Sequence, residues 1–96
     1  MEKQPAVYIL ANNRNGTIYV GVTSNLTQRI WQHRNGTTAG FASKHGCRKL
    51  VHFELHPTME AAITREKQLK GGSRLRKMAL IEVANPTWRD LYPDIL

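Results

Sequence analysis

The sequence predicts a single α+β domain, because short strand patterns and longer helical patterns alternate within only 96 residues. Three runs of about five to seven residues are rich in apolar and β-branched side chains. Three longer stretches begin after a capping residue, and all three stop at glycines or at Asn-Pro. No repeat or linker divides the chain, so we expect residues 1–96 to form one domain with a modest core.

The first two strands are predicted to form a hairpin. They cover Ala6–Leu10 and Thr17–Gly21. Between them, Asn15-Gly16 suits a two-residue turn with positive φ at both central residues. That turn would set the register of the whole hairpin, and it would place Asn12 opposite Tyr19.

Two tyrosines of this hairpin are expected to project from the same face of the sheet. Side chains alternate along a strand, so the predicted register puts Tyr8 and Tyr19 on one side. Gly21 lies on that side as well and leaves space between the two phenols. A slip of one residue would move one tyrosine to the opposite face.

A short basic helix is predicted directly after the hairpin, over Leu26–Arg34, with Ser24 or Asn25 as its cap. Arg29 and His33 are four positions apart, so both can point to one place. A half-buried histidine bonded to backbone is the ordinary structural alternative for His33.

The segment Asn35–Arg48 is glycine-rich, polar and basic, and is predicted to be one long loop. Several of its side chains could line a path for phosphates. They are Ser43, Lys44, His45 and Arg48. A solvated loop with incidental charge is the competing interpretation.

A third strand, Lys49–Leu55, leads into a helix capped by Thr58 that runs to about Lys70. On this helix Glu66 falls at the centre of the apolar stripe. The stripe is formed by Met59, Ala62, Ile63 and Leu69. An ionised carboxylate on a buried face is costly unless it is paired or bound to a metal ion. Glu66 is therefore expected to meet a basic partner such as Arg29, to hold a cation, or to do both.

The last third of the chain is predicted to cover the core. Ser73 can cap a helix that ends near Ala84, where Asn85-Pro86 breaks it. Residues 87–96 follow as a short helix or turn that packs Trp88, Leu91 and Tyr92 back onto the body. A surface for a protein partner is the alternative role of this segment.

Composition limits the partners and the compartment. Lys plus Arg number 14 and Asp plus Glu number 7, a net charge of +7, which favours a polyanion such as nucleic acid. A single cysteine, Cys47, excludes an internal disulfide and fits a reducing compartment. The sequence shows no charged-then-apolar leader and no run near the ~20 residues that span a bilayer. We therefore expect a soluble, cytoplasmic protein.

Several common chemistries find no support in the sequence. There is no phosphate-binding loop ending in Gly-Lys-Ser/Thr, no pair of cysteines for zinc and no nucleophile elbow. The residues that remain suit phosphate chemistry. An arginine grips a phosphate in two places, and one carboxylate is enough for Mg²⁺, which keeps several waters. A phenol can orient or deprotonate a water if cationic surroundings lower its pKa from ~10.

Two tripeptides carry a family resemblance. Ala6-Val7-Tyr8 and Tyr19-Val20-Gly21 resemble the paired motifs of the GIY-YIG nuclease superfamily. The likeness extends to residues at the expected order and spacing along the chain. They are Arg29, His33, Glu66 (within Arg65–Gly71) and Asn85.

The resemblance implies a small three-stranded antiparallel sheet flanked by helices. It implies that Tyr8 or Tyr19 is the general base and that the other holds phosphate or water. Arg29 would stabilise the pentacovalent phosphate, with His33 beside it in the catalytic set. Glu66 would hold Mg²⁺ or Mn²⁺, and Asn85 would support the site.

Two positions depart from the family pattern. Ala6 replaces the opening glycine, and Val22 stands where some members carry a lysine that helps to activate a tyrosine. Lys44 or Lys70 would then replace that lysine in space, and both are also expected to bind substrate.

The sequence thus favours a metal-dependent DNA endonuclease that prefers single-stranded or branched DNA. Two other hypotheses stay open. One is a nucleic-acid-binding module with little or no turnover. The other is a basic scaffold that docks a protein through Trp88 and Tyr92.

Overall fold

Three strands and four helices form an α+β fold in this computed structural model, which describes residues 4–36 and 40–96. The strands are β1 (Ala6–Ala11), β2 (Ile18–Thr23) and β3 (Lys49–Leu55). The helices are α1 (Leu26–Arg34), α2 (Phe41–Lys44), α3 (Met59–Gly71) and α4 (Arg74–Ala84), and a 3₁₀ turn follows at Tyr92–Ile95. The predicted α+β class is confirmed.

The three strands form one antiparallel sheet in the order β2-β1-β3. β1 is the central strand and all six of its residues are buried, which explains why its sequence is continuously apolar. The sheet and its flanking helices therefore match the three-stranded arrangement that the motifs implied.

The hairpin turn differs from the prediction. Tyr8 pairs with Gly21 and Leu10 with Tyr19, so the register is displaced by two residues. The loop is longer because the Asn12 side chain accepts a hydrogen bond from the Thr17 backbone N–H at 2.9 Å. A shift of two residues preserves the face, so both tyrosines still project from the same side.

Backbone torsions show the same difference in turn type. Of the two predicted turn residues, only Asn15 has a positive φ, at 58°. Gly16 is not among the positive-φ glycines, whereas the predicted turn required positive φ at both positions.

Each face of the sheet packs against different helices. The tyrosine face meets α1, α2 and the C-terminal turn, and its buried residues are Ala6, Tyr8, Leu10, Leu26, Ile30, Ala42, Cys47 and Leu50. The opposite face meets α3 and α4, and its buried residues are Val7, Ile9, Ala11, Val20, Val51, Ala62, Leu69, Ile81 and Trp88. The tyrosine rings and the larger helices thus lie on opposite sides of β1.

The segment between α1 and β3 is not wholly a loop, because α2 forms within it. A helix of four residues carries too little periodicity to be seen in sequence. Residues 37–39, which belong to the predicted loop, lie outside the described part of the chain.

The C-terminal segment covers the outer edge of β3. β3 has a bulge next to Leu10. Leu10 pairs with Leu50 and Ile9 pairs with His52, so Val51 is the extra residue on β3. At this bulge the Leu91 N–H donates to the Leu50 carbonyl at 2.7 Å. Trp88 is 1% exposed, so it serves the core and is not available as a docking surface.

None of the helices in the described ranges has the length and apolar character needed to cross a membrane.

Candidate active site

Tyr8 stands on the central strand and its ring covers the backbone of Gly21 on β2. A Cβ atom built at Gly21 would lie 2.4 Å from the Tyr8 Oη and Cζ atoms. No other residue leaves room for the ring at this point, so the glycine of the second motif is required by packing.

His33 on α1 completes a triangle of three rings with the tyrosines. Its Nε2 atom is 3.0 Å from the Tyr8 Oη, and the two groups share a hydrogen bond. The His33 ring centroid lies 5.7 Å from that of Tyr8 and 5.8 Å from that of Tyr19. The structural alternative for His33 was a half-buried histidine bonded to backbone. The hydrogen bond between its ring and the Tyr8 hydroxyl gives it a further role in the site.

Burial sets the protonation of this pair. Burial is the largest effect raising the pKa of Tyr8, and the nearby Tyr19 and Glu66 raise it further, while Arg29 opposes them. Burial, followed by the charge of Arg29, lowers the pKa of His33. Near neutral pH the Tyr8 phenol is therefore protonated and the His33 imidazole is neutral.

Arg29 lies one helical turn before His33 and its side chain is exposed. Its charge lowers the pKa of His33 and opposes the rise in the pKa of Tyr8, both of which are caused mainly by burial. Within residues 4–36 and 40–96 no carboxylate pairs with it, so the group is available to a phosphate.

Glu66 comes from α3, between the buried Ala62 and Leu69, and its side chain is only 15% exposed. The predicted apolar stripe is narrower than expected, because Met59 and Ile63 are more than a third exposed. The carboxylate sits in the buried part of that stripe.

The partner of Glu66 is Lys70, whose Nζ lies 3.1 Å from Oε2. The sequence proposed Arg29 or a cation for this place. The spacing of four residues, with the acid first, is the favourable order for a helical ion pair and was the signal in the sequence for this contact.

Lys70 also approaches Tyr19, since its Nζ is 5.9 Å from the ring centroid. Val22, the position of the missing lysine, packs on the α3 face of β2. Of the two lysines expected to replace it in space, Lys70 is therefore the one with a described approach to a tyrosine. Lys44, the other candidate, is exposed on α2 and has no described contact with either tyrosine.

The described side-chain contacts of Asn85 are with β3 and the C-terminal segment. It ends α4, and its Nδ2 donates to the carbonyls of Val51 at 3.1 Å and Arg89 at 2.9 Å. Its Oδ1 accepts from the Arg89 N–H at 3.1 Å. These bonds tie the C-terminal segment to β3, so any support it gives the site is indirect.

The remaining predicted substrate-binding residues lie around α2. Ser43 is half-buried and Lys44 is exposed, and the carbonyl of His45 accepts from the Asn12 Nδ2 at 3.4 Å. α2 lies beside β2. The three residues thus border the hairpin end of the site, and their described contacts do not reach the phenols.

The donor set can be tested against a metal ion. No group of three or more His, Cys, Asp or Glu side chains gathers in the described ranges, so a closed zinc site has no support there. Glu66 offers one carboxylate beside two phenols. This set fits Mg²⁺ or Mn²⁺, which accept a single protein carboxylate together with water and substrate oxygens.

A small α+β sheet that presents phenols, an imidazole, an arginine and one carboxylate suits proteins of the phosphodiester-cleaving class. Residues 4–79 match the family model described as the GIY-YIG catalytic domain. The chain therefore belongs to the GIY-YIG family, whose domains are endonucleases that generally use divalent metal ions.

Several relatives resemble the chain over most of their length. A UPF0213 protein of Clostridium perfringens is 39% identical over 75 residues, which cover 78% of this chain and 80% of the relative. A UPF0213 protein of Syntrophus aciditrophicus is 35% identical over 77 residues, which cover 79% and 87%. The solution NMR structure of the UPF0213 protein from Bacillus halodurans matches with a TM-score of 0.52 and 31% identity, over 83% of this chain and 84% of that one.

Proposed function

We propose that the protein is a divalent-metal-dependent endonuclease that hydrolyses DNA phosphodiester bonds and prefers single-stranded or branched DNA to plain duplex. The observation that carries the proposal is the Tyr8–His33–Tyr19 ring triangle beside the Glu66–Lys70 pair. A binding module has no need of a carboxylate held beside buried phenols. The proposed functional unit is the single domain of residues 1–96, acting in the cytoplasm.

The two tyrosines take different roles in this proposal. Tyr8 is 1% exposed and hydrogen-bonded to His33, and burial raises its pKa, so it keeps its proton. Tyr19 is half-buried on an edge strand and has the Lys70 ammonium near its ring. Tyr19 is therefore the general base that takes the proton of the attacking water, and Tyr8 with His33 orients that water or the phosphate.

Arg29 binds and neutralises the phosphate. Its exposed guanidinium can form two hydrogen bonds to phosphoryl oxygens, which stabilises the charge that builds up in the pentacovalent transition state. Its position one turn from His33 brings that charge to the side of the ring triangle.

Glu66 would hold Mg²⁺ or Mn²⁺, which would act there as a Lewis acid on a phosphoryl oxygen. Lys70 would then leave the carboxylate and contact Tyr19 and a substrate phosphate. The same lysine neutralises Glu66 before loading, which lowers the cost of a half-buried carboxylate.

A flexible strand suits this site because Tyr19 and Arg29 lie at the surface and not in a deep pocket. Single-stranded DNA, or the flexible junction of a branched molecule, can bend to bring one phosphate to the rings. A stiff duplex must deform to do so, at a free-energy cost.

The second candidate is a nucleic-acid-binding module with little or no turnover. It is favoured by the pairing of Glu66 with Lys70, which leaves the carboxylate neutralised in the absence of a competing ion.

The deciding experiment incubates purified protein with labelled single-stranded, branched and duplex DNA, and with RNA, in Mg²⁺, Mn²⁺ or EDTA. We expect cleavage only with a divalent ion, and loss of cleavage in Glu66→Gln. Glu60→Gln is the matched control, because it removes the same charge from an exposed position of the same helix. If the parent binds DNA but never cuts it, or if Glu66→Gln cuts as well as the parent, the proposed function is wrong.

A further inference from the structure

A cleft of about 530 Å³ lies between the hairpin turn and the beginning of α4. We call it the hairpin cleft. Its lining residues are Asn15, Gly16, Thr17, Ile18, Arg74 and Lys77. The sequence did not single out Ile18, Arg74 or Lys77, and none of these three residues belongs to the ring triangle.

Arg74 forms one wall of the hairpin cleft and fixes its shape. Its Nη2 donates to the carbonyl of Asn15 at 2.9 Å and also to that of Gly16. A guanidinium carries five N–H donors, so this contact leaves others for a second acceptor. Arg74 thus joins the hairpin turn to α4 and still has N–H groups that can donate to a second acceptor.

Lys77 lies on the same wall and is half-buried. Within the described ranges no carboxylate approaches either Lys77 or Arg74 to 4 Å, although four other basic side chains do have such partners. Those four are Arg34, Arg65, Lys70 and Arg89. An anion in the cleft would supply the counter-charge that these two side chains do not have within the described ranges.

The hairpin cleft and the ring triangle both include residues of β2. Ile18 lines the cleft and is followed directly by Tyr19, one strand step of about 3.3 Å further on. Lys70 stands over Tyr19 at the end of α3, and Arg74 begins α4 after two glycines and a serine. Lys70 near the ring triangle and Arg74 and Lys77 at the cleft thus follow one another closely along the chain.

We propose that the hairpin cleft binds a backbone phosphate of the same nucleic acid strand that is cut at the ring triangle, with Lys77 and Arg74 as its cationic contacts. This inference rests on the proposed function and adds the route of the strand, which passes over the β2 edge towards the hairpin turn. The contacts are to phosphate, so they hold the strand in position without reading its bases.

The test compares Lys77→Gln with Arg76→Gln. Both changes remove one charge from the same turn of α4, but Arg76 is exposed and does not line the cleft. Binding of a labelled single-stranded oligonucleotide is measured in EDTA, where no cutting occurs, over a range of KCl concentrations. Thermal unfolding of each variant confirms that it is folded.

For Lys77→Gln we expect the slope of log K against log salt to become shallower by about 0.7, the value for one lost phosphate contact on a single strand. Affinity at low salt should fall several-fold. Arg76→Gln should keep the slope of the parent. Arg74→Lys, which retains the charge and loses the contact with the turn, should bind more weakly than the parent with little change of slope.

Each outcome decides one of the two proposals. If Lys77→Gln matches the parent, or if Arg76→Gln lowers the slope equally, the hairpin cleft is not a phosphate site, even where the parent cuts DNA. If Lys77→Gln alone lowers the slope and the parent never cuts, the cleft stands and the endonuclease proposal fails.

Discussion

The guanidinium of Arg65 forms a two-point ion pair with the carboxylate of Glu54. The Nε–Oε1 distance is 2.9 Å and the Nη2–Oε2 distance is 3.1 Å. The pair joins α3 to β3, and the same carboxylate also contacts the Nε2 atoms of His52 at 2.9 Å and His56 at 3.3 Å. Arg65 directly precedes Glu66, so the pair fixes the rotation of the helix that carries the proposed metal ligand.

Arg65→Met should therefore destabilise the protein and disturb the site together. We expect a loss of about 1–3 kcal/mol in the free energy of unfolding, because Glu54 keeps its charge in a partly buried place. Urea unfolding followed by circular dichroism measures it. Arg89→Met, which breaks the exposed pair with Asp94, is the control and should change stability little. Equal losses in the two variants would contradict the role given to Arg65.

The same carboxylate predicts a dependence of stability on pH. Burial raises the pKa of Glu54, but the hydrogen bonds and charges of Arg65 and His52 outweigh it and lower the pKa from 4.5 to about 2. A depressed pKa gives stability that is complete above the unfolded value near 4.5 and is lost as the pH falls from there towards 2. The amount is about 2–3 kcal/mol.

Urea unfolding of the parent and of Glu54→Gln between pH 6 and pH 2 tests this dependence. The parent should be the more stable protein at pH 6, and the gap should shrink through the window from pH 4.5 to pH 2. A gap that stays constant with pH would show that Glu54 titrates normally.

Gly21→Ala should damage the site through packing. The added methyl group would collide with the Tyr8 ring, which must move away from His33. We expect about 1–3 kcal/mol of destabilisation and a strong loss of cleavage. Gly71→Ala is the matched control, because a Cβ there meets nothing within 4 Å and the residue is helical. If Gly21→Ala is as stable and as active as Gly71→Ala, the close contact with Tyr8 is not important.

Lys70→Met should have opposite effects on the binding of the divalent ion and on cleavage. Removal of the ammonium frees the Glu66 carboxylate, so Mn²⁺ should bind more tightly in the absence of DNA, as measured by paramagnetic resonance of the free ion. Cleavage should nevertheless fall, because Tyr19 and the phosphate lose a cation. Lys67→Met removes a charge from an exposed position of the same helix and should change neither quantity. Weaker Mn²⁺ binding in Lys70→Met would refute the competition between lysine and ion.

Tyr19→Phe and Tyr8→Phe should differ in their effects on the reaction. Loss of the general base should lower kcat by about 10²–10⁴-fold, and this is expected for Tyr19→Phe. Tyr8→Phe removes only the hydroxyl that His33 holds, so its effect should be smaller. Single-turnover cleavage at saturating Mn²⁺ compares the two. A larger defect in Tyr8→Phe would reverse the assignment.

Local signals in the sequence were sufficient for much of the fold. The bounds of α1 and β3 agree with the prediction, because caps and alternation are encoded within a few residues. Tyr8 and Tyr19 share a face of the sheet as predicted, although the predicted turn was wrong, because a shift of two residues keeps the same side chains on each face. By contrast, the side-chain bond of Asn12 that lengthens the turn competes with the Asn-Gly signal and is not visible as a pattern.

Contacts between distant parts of the chain were harder to predict. The Tyr8–His33 bond and the Arg65–Glu54 pair depend on how helices cross the sheet, which periodicity does not specify. The pairing of Glu66 with Lys70 is different, because it is local and follows from the spacing alone. Asn85, expected near the site by resemblance, instead bonds to backbone groups of Val51 and Arg89.

The two edge strands of the sheet differ in how accessible their outer sides are to another protein molecule. The outer edge of β3 is closed by the C-terminal segment at Leu50 and Val51. β2 forms the other edge, and no strand of the described ranges pairs with its outer side. Lysine and arginine beside such an edge are a common protection against self-association, because a second copy brings the same charge. The cations along β2 therefore repel another molecule of this protein while they attract a polyanion, and neutralising them should promote aggregation as well as weaken binding.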